Sequence, residues 1–509
     1  MQKTNKTYDI NLTINTENIL EKNCMVRTLN YFVDNLKIRK DLSNIYKKGR
    51  NPAVEPLTML KIIVYAYMKG IYSSRKIEDA CKRNLDFIWL LKNLKPPTRN
   101  TICRFIKKIS LLIKKILSKF VDFLSSIGEI NFENIFIDGT KIEAYANKYS
   151  FVWRKAIEKS KEKLQEKIKN HFLLYGVSVN DDYLYCLSIF EKYLKEKISN
   201  EAIKFVYGKG KRKSPVQREY EIITEYIEKF ERYCTYEKIL GKRNSFSKTD
   251  TEATFMRMKE DHMLNGQLKP AYNIQIGVAS GYIVNFMASQ ERTDVNTLIP
   301  FLEDTSKYHK YKNIVADAGY ESLENYRYLN ENGYKSYIKP SNYEIRKKRN
   351  YKTKVGNIDN MTYSSKDNKY ICANNVTLNY KYTGNRKNKS GFEYTVDIYE
   401  AEDCSNCEFK SLCKKTNRNK TIQVNKEFQL MRKISNENIK SEYGIKLRTN
   451  RSIQVEGVFA LIKESRRFRR VSYRGLKNVE TQFLLISLAH NMINYISKRE
   501  TGRLKKYLF

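Results

Sequence analysis

Apolar residues recur every three or four positions through the first part of the chain, from Asn51 to about Ser126. The recurring positions include Leu60, Ile63, Val64 and Met68, and later Ile102, Phe105, Ile106, Ile109, Ile113 and Phe120. This is the spacing of the buried face of a helix. Gly70 and the Pro96–Pro97 pair interrupt the pattern and indicate breaks between short helices. We therefore predict a helical N-terminal domain over residues 1–127.

The last helix predicted in this domain has a basic face beside its apolar one. The basic residues are Arg99, Arg104, Lys107 and Lys108. Short helices that are joined by tight turns and end in a basic helix are typical of helix-turn-helix DNA readers. Arg99 and Arg104 are therefore candidate DNA-binding residues. The same spacing fits an ordinary helical bundle with solvated lysines equally well.

Two short apolar runs, each ending in an aspartate, predict two buried strands. Residues 134–138 read Asn-Ile-Phe-Ile-Asp, and residues 313–317 read Asn-Ile-Val-Ala-Asp. Gly139 and Gly319 follow, and we expect each glycine to turn the chain and leave an aspartate at a strand tip. If the two strands are neighbours in one sheet, both carboxylates meet at the edge where open sheets bind ligands.

More strands and helices are predicted around these two runs. The alternation from Tyr272 to Val278 and the apolar run 283–287 predict a hairpin, and a helix follows from about Val295 to Tyr308. Another strand is expected at residues 335–339. Strands mixed with helices favour an α/β core, whose first part we place at residues 128–340.

Two stretches differ from this core and are interpreted as insertions. Residues 152–243 are rich in lysine and have helical spacing with a break near residue 210, which predicts a helical hairpin or short coiled coil. Residues 341–445 are more polar and alternate, which predicts a small antiparallel sheet. The chain is expected to become helical from about Ile453, and residues 446–509 are assigned to the core again.

The charge of the chain points to a polyanionic partner. Its 95 Lys and Arg residues outnumber its 56 Asp and Glu residues, which gives a formal net charge of +39. Because 41% of the residues are hydrophobic, intrinsic disorder does not explain this charge. Nucleic acid is the expected partner. An anionic membrane surface is the alternative, but no lone basic amphipathic helix or lipidation signal supports it.

The sequence also favours a cytoplasmic location. Residues 1–20 contain no apolar signal region, and Lys61 and Lys114 interrupt the longest apolar runs, so we expect no membrane segment. Of the nine cysteines, six lie singly along the chain, which suits free thiols in a reducing compartment.

A third carboxylate, Glu456, lies on a predicted helix whose apolar face is formed by Val455, Val458, Phe459 and Ile462. We expect Glu456 to join Asp138 and Asp317, since carboxylates without histidine suit Mg²⁺ or Mn²⁺, and paired ions of this kind catalyse phosphodiester chemistry. The helix is expected to continue into a cationic strip that would hold a phosphate backbone. The candidate DNA-binding residues here are Lys463, Arg466, Arg467, Arg469, Arg470 and Arg474.

These residues resemble the bacterial insertion-sequence transposases, which carry a DDE triad on an RNase H-like fold. The resemblance rests on Phe136-Ile-Asp-Gly-Thr-Lys141, Asn265-Gly-Gln-Leu-Lys-Pro-Ala-Tyr-Asn273, Asp317-Ala-Gly-Tyr-Glu-Ser322, and Glu456-Gly-Val-Phe-Ala-Leu-Ile-Lys463 followed by Arg469-Arg470. The stretches occur in the family's order and span most of the chain. Ala460 departs from the pattern, in which a glycine is expected.

The resemblance implies an α/β, RNase H-like catalytic core, with a mixed sheet flanked by helices, and an N-terminal helical domain that binds DNA. It implies that Asp138, Asp317 and Glu456 are the metal-binding catalytic triad and that Lys463 follows the glutamate as a basic residue of the site. It also implies a DNA transposase that binds the terminal inverted repeats of its element, cleaves a strand and joins the 3′-hydroxyl to target DNA as a homodimer or higher oligomer, in the bacterial cytoplasm beside the nucleoid. The alternatives are a nuclease without strand transfer and a non-catalytic DNA-binding protein derived from a transposase.

Three further carboxylates are near these positions in sequence. We interpret Asp294 as the N-cap of the helix at Val295 and Asp250 as a loop residue, although either could hydrogen-bond to and orient a residue of the triad. Glu143 is not included in the triad.

Cys404, Cys407 and Cys413 form a C-x₂-C pair followed by a third cysteine, with Cys372 as the nearest fourth ligand. The spacing admits a tetrahedral zinc site. Reduced cysteines in a β-rich insertion are the alternative that the sequence leaves open.

Overall fold

The computed structural model describes residues 16–44, 46, 52–92, 94–258, 266–388 and 390–506. Asn51, where the helical pattern starts, and Asn265 of the quoted motif lie outside the described residues. The helices are α1 (Thr16–Ile19), α2 (Met25–Asn35), α3 (Arg39–Asn44), α4 (Pro56–Met68), α5 (Ser74–Arg83), α6 (Leu85–Leu91), α7 (Arg99–Ile109), α8 (Ile113–Ser126), α9 (Arg154–Leu173), α10 (Tyr183–Asn200), α11 (Pro215–Leu240), α12 (Leu298–Ser306), α13 (Leu323–Glu331), α14 (Arg349–Lys352), α15 (Lys410–Cys413), α16 (Lys426–Lys440), α17 (Glu442–Arg451), α18 (Gly457–Ala460) and α19 (Leu476–Glu500). The strands are β1 (Asn134–Glu143), β2 (Phe151–Trp153), β3 (Ser245–Ser247), β4 (Thr254–Arg257), β5 (Leu268–Ala279), β6 (Tyr282–Ser289), β7 (Asn313–Ala316), β8 (Lys335–Ile338), β9 (Thr362–Ser364), β10 (Lys369–Ile371), β11 (Thr377–Lys387), β12 (Glu393–Ala401) and β13 (Thr421–Val424).

The central sheet is mixed and has the strand order β4-β5-β1-β7-β8, with β6 paired to β5. Strand β1 runs antiparallel to β5 and parallel to β7, and β8 runs parallel to β7. Helices α8, α12 and α19 pack against β6, while α16 and α17 pack against β8 at the other side of the sheet. A mixed sheet flanked by helices confirms the predicted α/β, RNase H-like core.

Strand β1 is longer than the sequence predicts, and Asp138 is not at its tip. The chain does not turn at Gly139, because β1 continues to Glu143 and pairs with β5 from Phe136 to Glu143. Its parallel pairing with β7, however, ends at Ile137 opposite Ala316. Asp138 therefore lies in the middle of a strand but at the end of the parallel ladder.

The N-terminal helices surround α4, whose side chains are buried except for Thr58. Pro56 begins the helix in the first turn, where a missing N–H is tolerated. Lys61 is buried as well, and its Nζ donates to Asp34 and Asn30 at 2.7 Å each. Burial lowers the pKa of Lys61, and the Asp34 carboxylate works against that shift. The lysine that interrupts this apolar run thus has an internal counter-charge.

One continuous hydrophobic core joins the N-terminal helices to the catalytic core. Helix α4 packs on α19, and the ring of Phe32 contacts that of Tyr495 with centroids 5.0 Å apart. His490 on α19 is buried in this core, and burial lowers its pKa to about 4. Among the described residues, no helix is long and apolar enough to cross a membrane.

The helical insertion contains three helices among the described residues, not the predicted hairpin. Helices α9, α10 and α11 share a small core of their own, which includes Leu164, Leu187 and Ile223. The sequence pattern missed α10 because its aromatic residues lie on several faces of the helix. The short ribbon of β2 and β3 closes the insertion, with Phe151 opposite Ser247.

The second insertion contains an antiparallel sheet of order β13-β12-β11-β10-β9, as predicted. The return to helix comes earlier than the predicted position near Ile453, since α16 begins at Lys426. Its start is capped by the side chain of Asn425, which accepts from the Phe428 N–H at 2.6 Å. Asn is a strong N-cap residue, and this was the signal that the sequence interpretation overlooked.

The segment around Glu456 is helical but irregular. Residues 452–456 and 461–465 form π-helical turns, a feature that is frequent at functional sites. The helix ends at Ser465, because Arg467 adopts a left-handed conformation with φ 51°. The predicted continuous helix through the arginine strip is therefore wrong, and residues 466–475 form an irregular connection to α19.

Candidate active site

Asp138 and Asp317 are neighbours at the end of the parallel ladder. Ile137 pairs with Ala316, so the next residue on each strand is an aspartate. The carboxylate of Asp138 accepts from the Gly139 N–H, and that of Asp317 accepts from the Gly319 N–H, both at 2.8 Å. The two carboxylates predicted from sequence thus lie side by side at one sheet edge.

Glu456 is connected to the same sheet edge by Arg451, which contacts both Glu456 and Asp138. The first π-helical turn packs against β1 and β5. One guanidinium nitrogen of Arg451 lies 3.2 Å from the carboxylate of Asp138, and the other lies 3.6 Å from that of Glu456. The side chain of Arg451 is 16% exposed, whereas that of Glu456 is 63% exposed. Arg451 is therefore a partly buried cation between two members of the predicted triad.

The three predicted ligands share this region without forming a closed set. Among the described residues, no three His, Cys, Asp or Glu side chains are arranged to hold one metal ion. The donor chemistry nevertheless suits a hard divalent cation, because Asp138 and Asp317 present carboxylate oxygens with no histidine or thiol beside them. The third carboxylate, Glu456, is held by Arg451 on the solvent side.

Asp294 is a fourth carboxylate at this edge. It is not the N-cap of α12, which begins at Leu298 after Thr297. Its Oδ1 accepts hydrogen bonds from Asn273 Nδ2 at 2.7 Å and from Gln275 Nε2 at 2.9 Å. These two amides lie on β5, which is the antiparallel neighbour of β1. Their alternation along the strand was visible in the sequence, but their common partner was not.

Tyr320 contacts Gln275, one of the two residues that hold Asp294. Its ring is buried, and its hydroxyl donates to the side-chain oxygen of Gln275. Burial raises the pKa of Tyr320 well above its ordinary value, and the negative charges of Asp294, Asp138 and Asp317 raise it further. The hydroxyl therefore stays protonated and remains a hydrogen-bond donor to Gln275.

The other carboxylates considered from sequence lie away from this edge. Asp250 is buried and accepts from the Tyr272 hydroxyl at 3.0 and 2.9 Å and from the Gly475 N–H at 3.2 Å. It links β5 to the start of α19. Glu143, at the end of β1, lies 3.3 Å from Lys269. Both residues have contacts that hold the fold together.

The arginines of the predicted cationic strip divide into three groups. Arg470 and Arg474 donate to backbone carbonyls that follow β1, at 2.9–3.1 Å, and both lie over the ring of Tyr145. Arg466 is largely buried, and burial lowers its pKa. Arg467 and Arg469 are exposed, and Arg469 forms an ion pair with Glu464. The strip therefore partly serves to attach the connection to β1.

The remaining basic candidates lie in two places. Lys463 is buried, with 8% of its surface exposed, on the second π-helical turn. Arg99 and Arg104 are exposed on α7, where Ile102, Phe105 and Ile106 face the core. Helix α7 thus has the predicted apolar and basic faces.

The four cysteines of the second insertion lie near one another. Burial raises the pKa of Cys413, and the nearby Cys372, Cys404 and Cys407 raise it further. The backbone N–H of Lys420 donates to the Cys404 sulfur at 3.4 Å. Their zinc site stays a prediction.

Two family models match the chain. A transposase DDE domain matches residues 371–496, and a transposase domain (DUF772) matches residues 14–108. Together these two matches indicate an insertion-sequence DDE transposase. The first match includes Glu456 and Arg451, and the second includes Arg99 and Arg104 on α7 of this transposase. No curated protein matches the chain.

Proposed function

We propose that this transposase binds the ends of its own insertion sequence, cleaves a DNA strand to free a 3′-hydroxyl, and joins that hydroxyl to target DNA. The observation that carries the proposal is the register of β1 and β7, which places Asp138 beside Asp317. Paired carboxylates at a ligand-binding sheet edge, in a chain of this net charge, suit metal-dependent chemistry on a phosphate backbone.

Asp138, Asp317 and Glu456 are the residues that would hold Mg²⁺ or Mn²⁺. Such a cation, when bound, activates a water or hydroxyl and stabilises the leaving oxygen of a phosphodiester. Arg451 contacts both Asp138 and Glu456, so its single positive charge offsets part of the negative charge of these two carboxylates. Asn273 and Gln275 hold Asp294 behind the pair and restrict its rotation.

Basic side chains would hold the DNA beside this edge. The exposed candidates are Arg467, Arg469, Arg470 and Arg474 near the site, and Arg99 and Arg104 on α7 for the element ends. Lys463 and Arg466, which the sequence also predicts, are largely buried and would contact DNA less directly. Contacts of this kind position the backbone and read no sequence. A homodimer or higher oligomer would bring two element ends together, and the cytoplasm beside the nucleoid is the proposed location.

The first prediction tests the paired carboxylates. In Asp138→Asn, cleavage and joining of the gene's flanking ends should be abolished, while binding of those ends should change little, because metal chemistry and phosphate contacts are separate contributions. The measurement is gel analysis of cleaved and joined products, with binding followed on the same DNA. Glu456→Gln should behave in the same way.

Asp181→Asn is the matched control. Asp181 is exposed in the helical insertion, and its substitution removes the same negative charge as Asp138→Asn. Undiminished cleavage by Asp138→Asn would refute the assignment. Cleaved ends without joined products would identify a nuclease, and binding without either product in the unmodified protein would identify a non-catalytic DNA-binding protein.

A further inference from the structure

A large groove runs between residues 340–359 and α16. Its volume is about 760 Å³. Six cationic side chains line it against one carboxylate, Asp359. The cations are Arg346, Lys347, Lys352, Arg432, Lys433 and Lys440. None of them belongs to the basic residues that the sequence singled out.

The single carboxylate of this groove is already neutralised. Asp359 accepts from Arg346 and from the Tyr351 hydroxyl. Burial opposes its charge, but these hydrogen bonds outweigh burial and hold the pKa of Asp359 below its ordinary value. Asp359 therefore stays ionised and paired with Arg346, and it does not compensate the other cations of the groove.

Three of those cations have no acidic partner. Lys352, Lys433 and Lys440 are exposed and lie more than 4 Å from any acidic side chain of the described residues. Such uncompensated lysines repel one another and attract a polyanion. Tyr343 and Phe428 add aromatic surface between them, and the ammonium of Lys347 lies 4.3 Å from the Tyr343 ring centroid.

The groove begins next to the paired aspartates. Ile338 pairs with Ala316, so Lys339 follows β8 beside Asp317 at the same edge of the sheet. Glu321, on the turn after Asp317, accepts from the Ser341 N–H at 2.8 Å. The same carboxylate is held by Arg432 of α16 at 2.7 and 2.9 Å. One buried glutamate thus ties both walls of the groove to the turn that carries Asp317.

We propose that this groove binds the phosphate backbone of DNA that extends away from the cleavage position. The inference rests on the proposed function for the identity of the polymer. Lys352, Lys433 and Lys440 contact successive phosphates, while Arg432 keeps the walls in place through Glu321. Contacts to phosphate carry no sequence information, so the groove holds element DNA and unrelated DNA alike.

The test measures DNA binding of the full-length protein in EDTA, where metal-dependent chemistry is off. Fluorescence anisotropy is recorded over a series of salt concentrations with an element-end duplex and an unrelated duplex of equal length. In the triple variant Lys352→Ala, Lys433→Ala, Lys440→Ala, binding of both duplexes should weaken. The slope of log K against log salt should fall by about 0.9 for each phosphate contact removed.

The matched control removes three exposed lysines from the helical insertion: Lys159→Ala, Lys192→Ala, Lys238→Ala. It lowers the net charge equally and should leave the slope close to that of the unmodified protein. Equal changes in both triple variants, an unchanged slope in the groove variant, or a loss confined to the element-end duplex would each overturn the proposal. Circular dichroism melting establishes that both variants are folded, and the single variant Lys433→Ala provides the same readout if the triple variant is not.

Failure of this inference is distinguishable from failure of the proposed function. Asp138→Asn reports on strand cleavage, whereas the groove variant reports on binding without chemistry. If Asp138→Asn still cleaves DNA but the groove variant loses binding, the groove assignment holds and the catalytic one fails. If Asp138→Asn is inactive and the groove variant binds normally, the reverse is true.

Discussion

Gly139 lies where no side chain fits. A Cβ atom at this position would be 2.3 Å from the Gln275 amide nitrogen and 2.6 Å from Asp294 Oδ1. The glycine was expected to turn the chain, but its φ is not in the left-handed region and the strand continues through it. Its role is to let Asp294 and Gln275 approach β1 beside Asp138.

Gly139→Ala should therefore damage both stability and activity. Overpacking of this kind typically costs about 1–3 kcal/mol, and displacing Asp294 should reduce strand cleavage. The matched control is Gly457→Ala, next to Glu456, where a Cβ atom meets nothing within 4 Å. In a helix this control should be neutral or stabilising by about 0.5–1 kcal/mol. Thermal melts and cleavage assays on both variants compare them, and a Gly139→Ala protein as stable and active as Gly457→Ala would contradict the crowding argument.

The elements of the core follow from local patterns, but their lengths do not. The apolar runs that end at Asp138 and Asp317 predict two strands, and the place where their carboxylates meet if the strands are neighbours, as they are in the structure. The extension of β1 to Glu143 depends on pairing with β5, which is distant in sequence. The helical segment that contains Glu456 ends at Ser465, and this end likewise depends on the left-handed conformation of Arg467.

The partners within the site were the least predictable part. Arg451 has no local signal, since its contact with Asp138 depends on how α17 packs on the sheet. The positions of Asn273 and Gln275 could be assigned to one strand face, but Asp294 as their acceptor required the fold. Sequence periodicity identifies faces, whereas a hydrogen bond between distant elements is a property of their packing.

The four cysteines of the second insertion allow a prediction about this structural element. Because no three of their side chains are arranged to hold one metal ion among the described residues, we expect reduced thiols with zinc far below one per chain. Metal analysis and thiol titration of the purified protein measure this. Stoichiometric zinc that is lost in Cys404→Ser, but kept in Cys103→Ser, would establish the tetrahedral site instead. Cys103 is exposed on α7 and serves as the control.

At the scale of the whole molecule, the N-terminal helices are part of the catalytic core. The hydrophobic core runs from Val26 through the central sheet to Ile496. The Tyr72 hydroxyl donates to the Arg466 carbonyl at 3.0 Å, and Arg499 donates to Thr28 at 3.1 Å. DNA bound at α7, as we propose, would therefore be positioned relative to Asp138 and Asp317 by rigid packing.

Removing residues 1–127 should consequently unfold or aggregate the remainder, because one face of α19 would lose the α4 side chains that bury it. The measurement is solubility and cooperative thermal unfolding of residues 128–509 against the full chain. A soluble fragment with a sharp transition would show that the two parts are independent domains.

The ribbon of β2 and β3 forms the junction between the helical insertion and the core. Because Phe151 and Ser247 are paired, the chain leaves and re-enters the core at adjacent points, and α9, α10 and α11 bury their own apolar residues. Residues between those points can be added, removed or exchanged without moving Asp138, Asp317 or Glu456. Such a junction makes this part of the enzyme free to diversify, and it is a natural place to graft a foreign module.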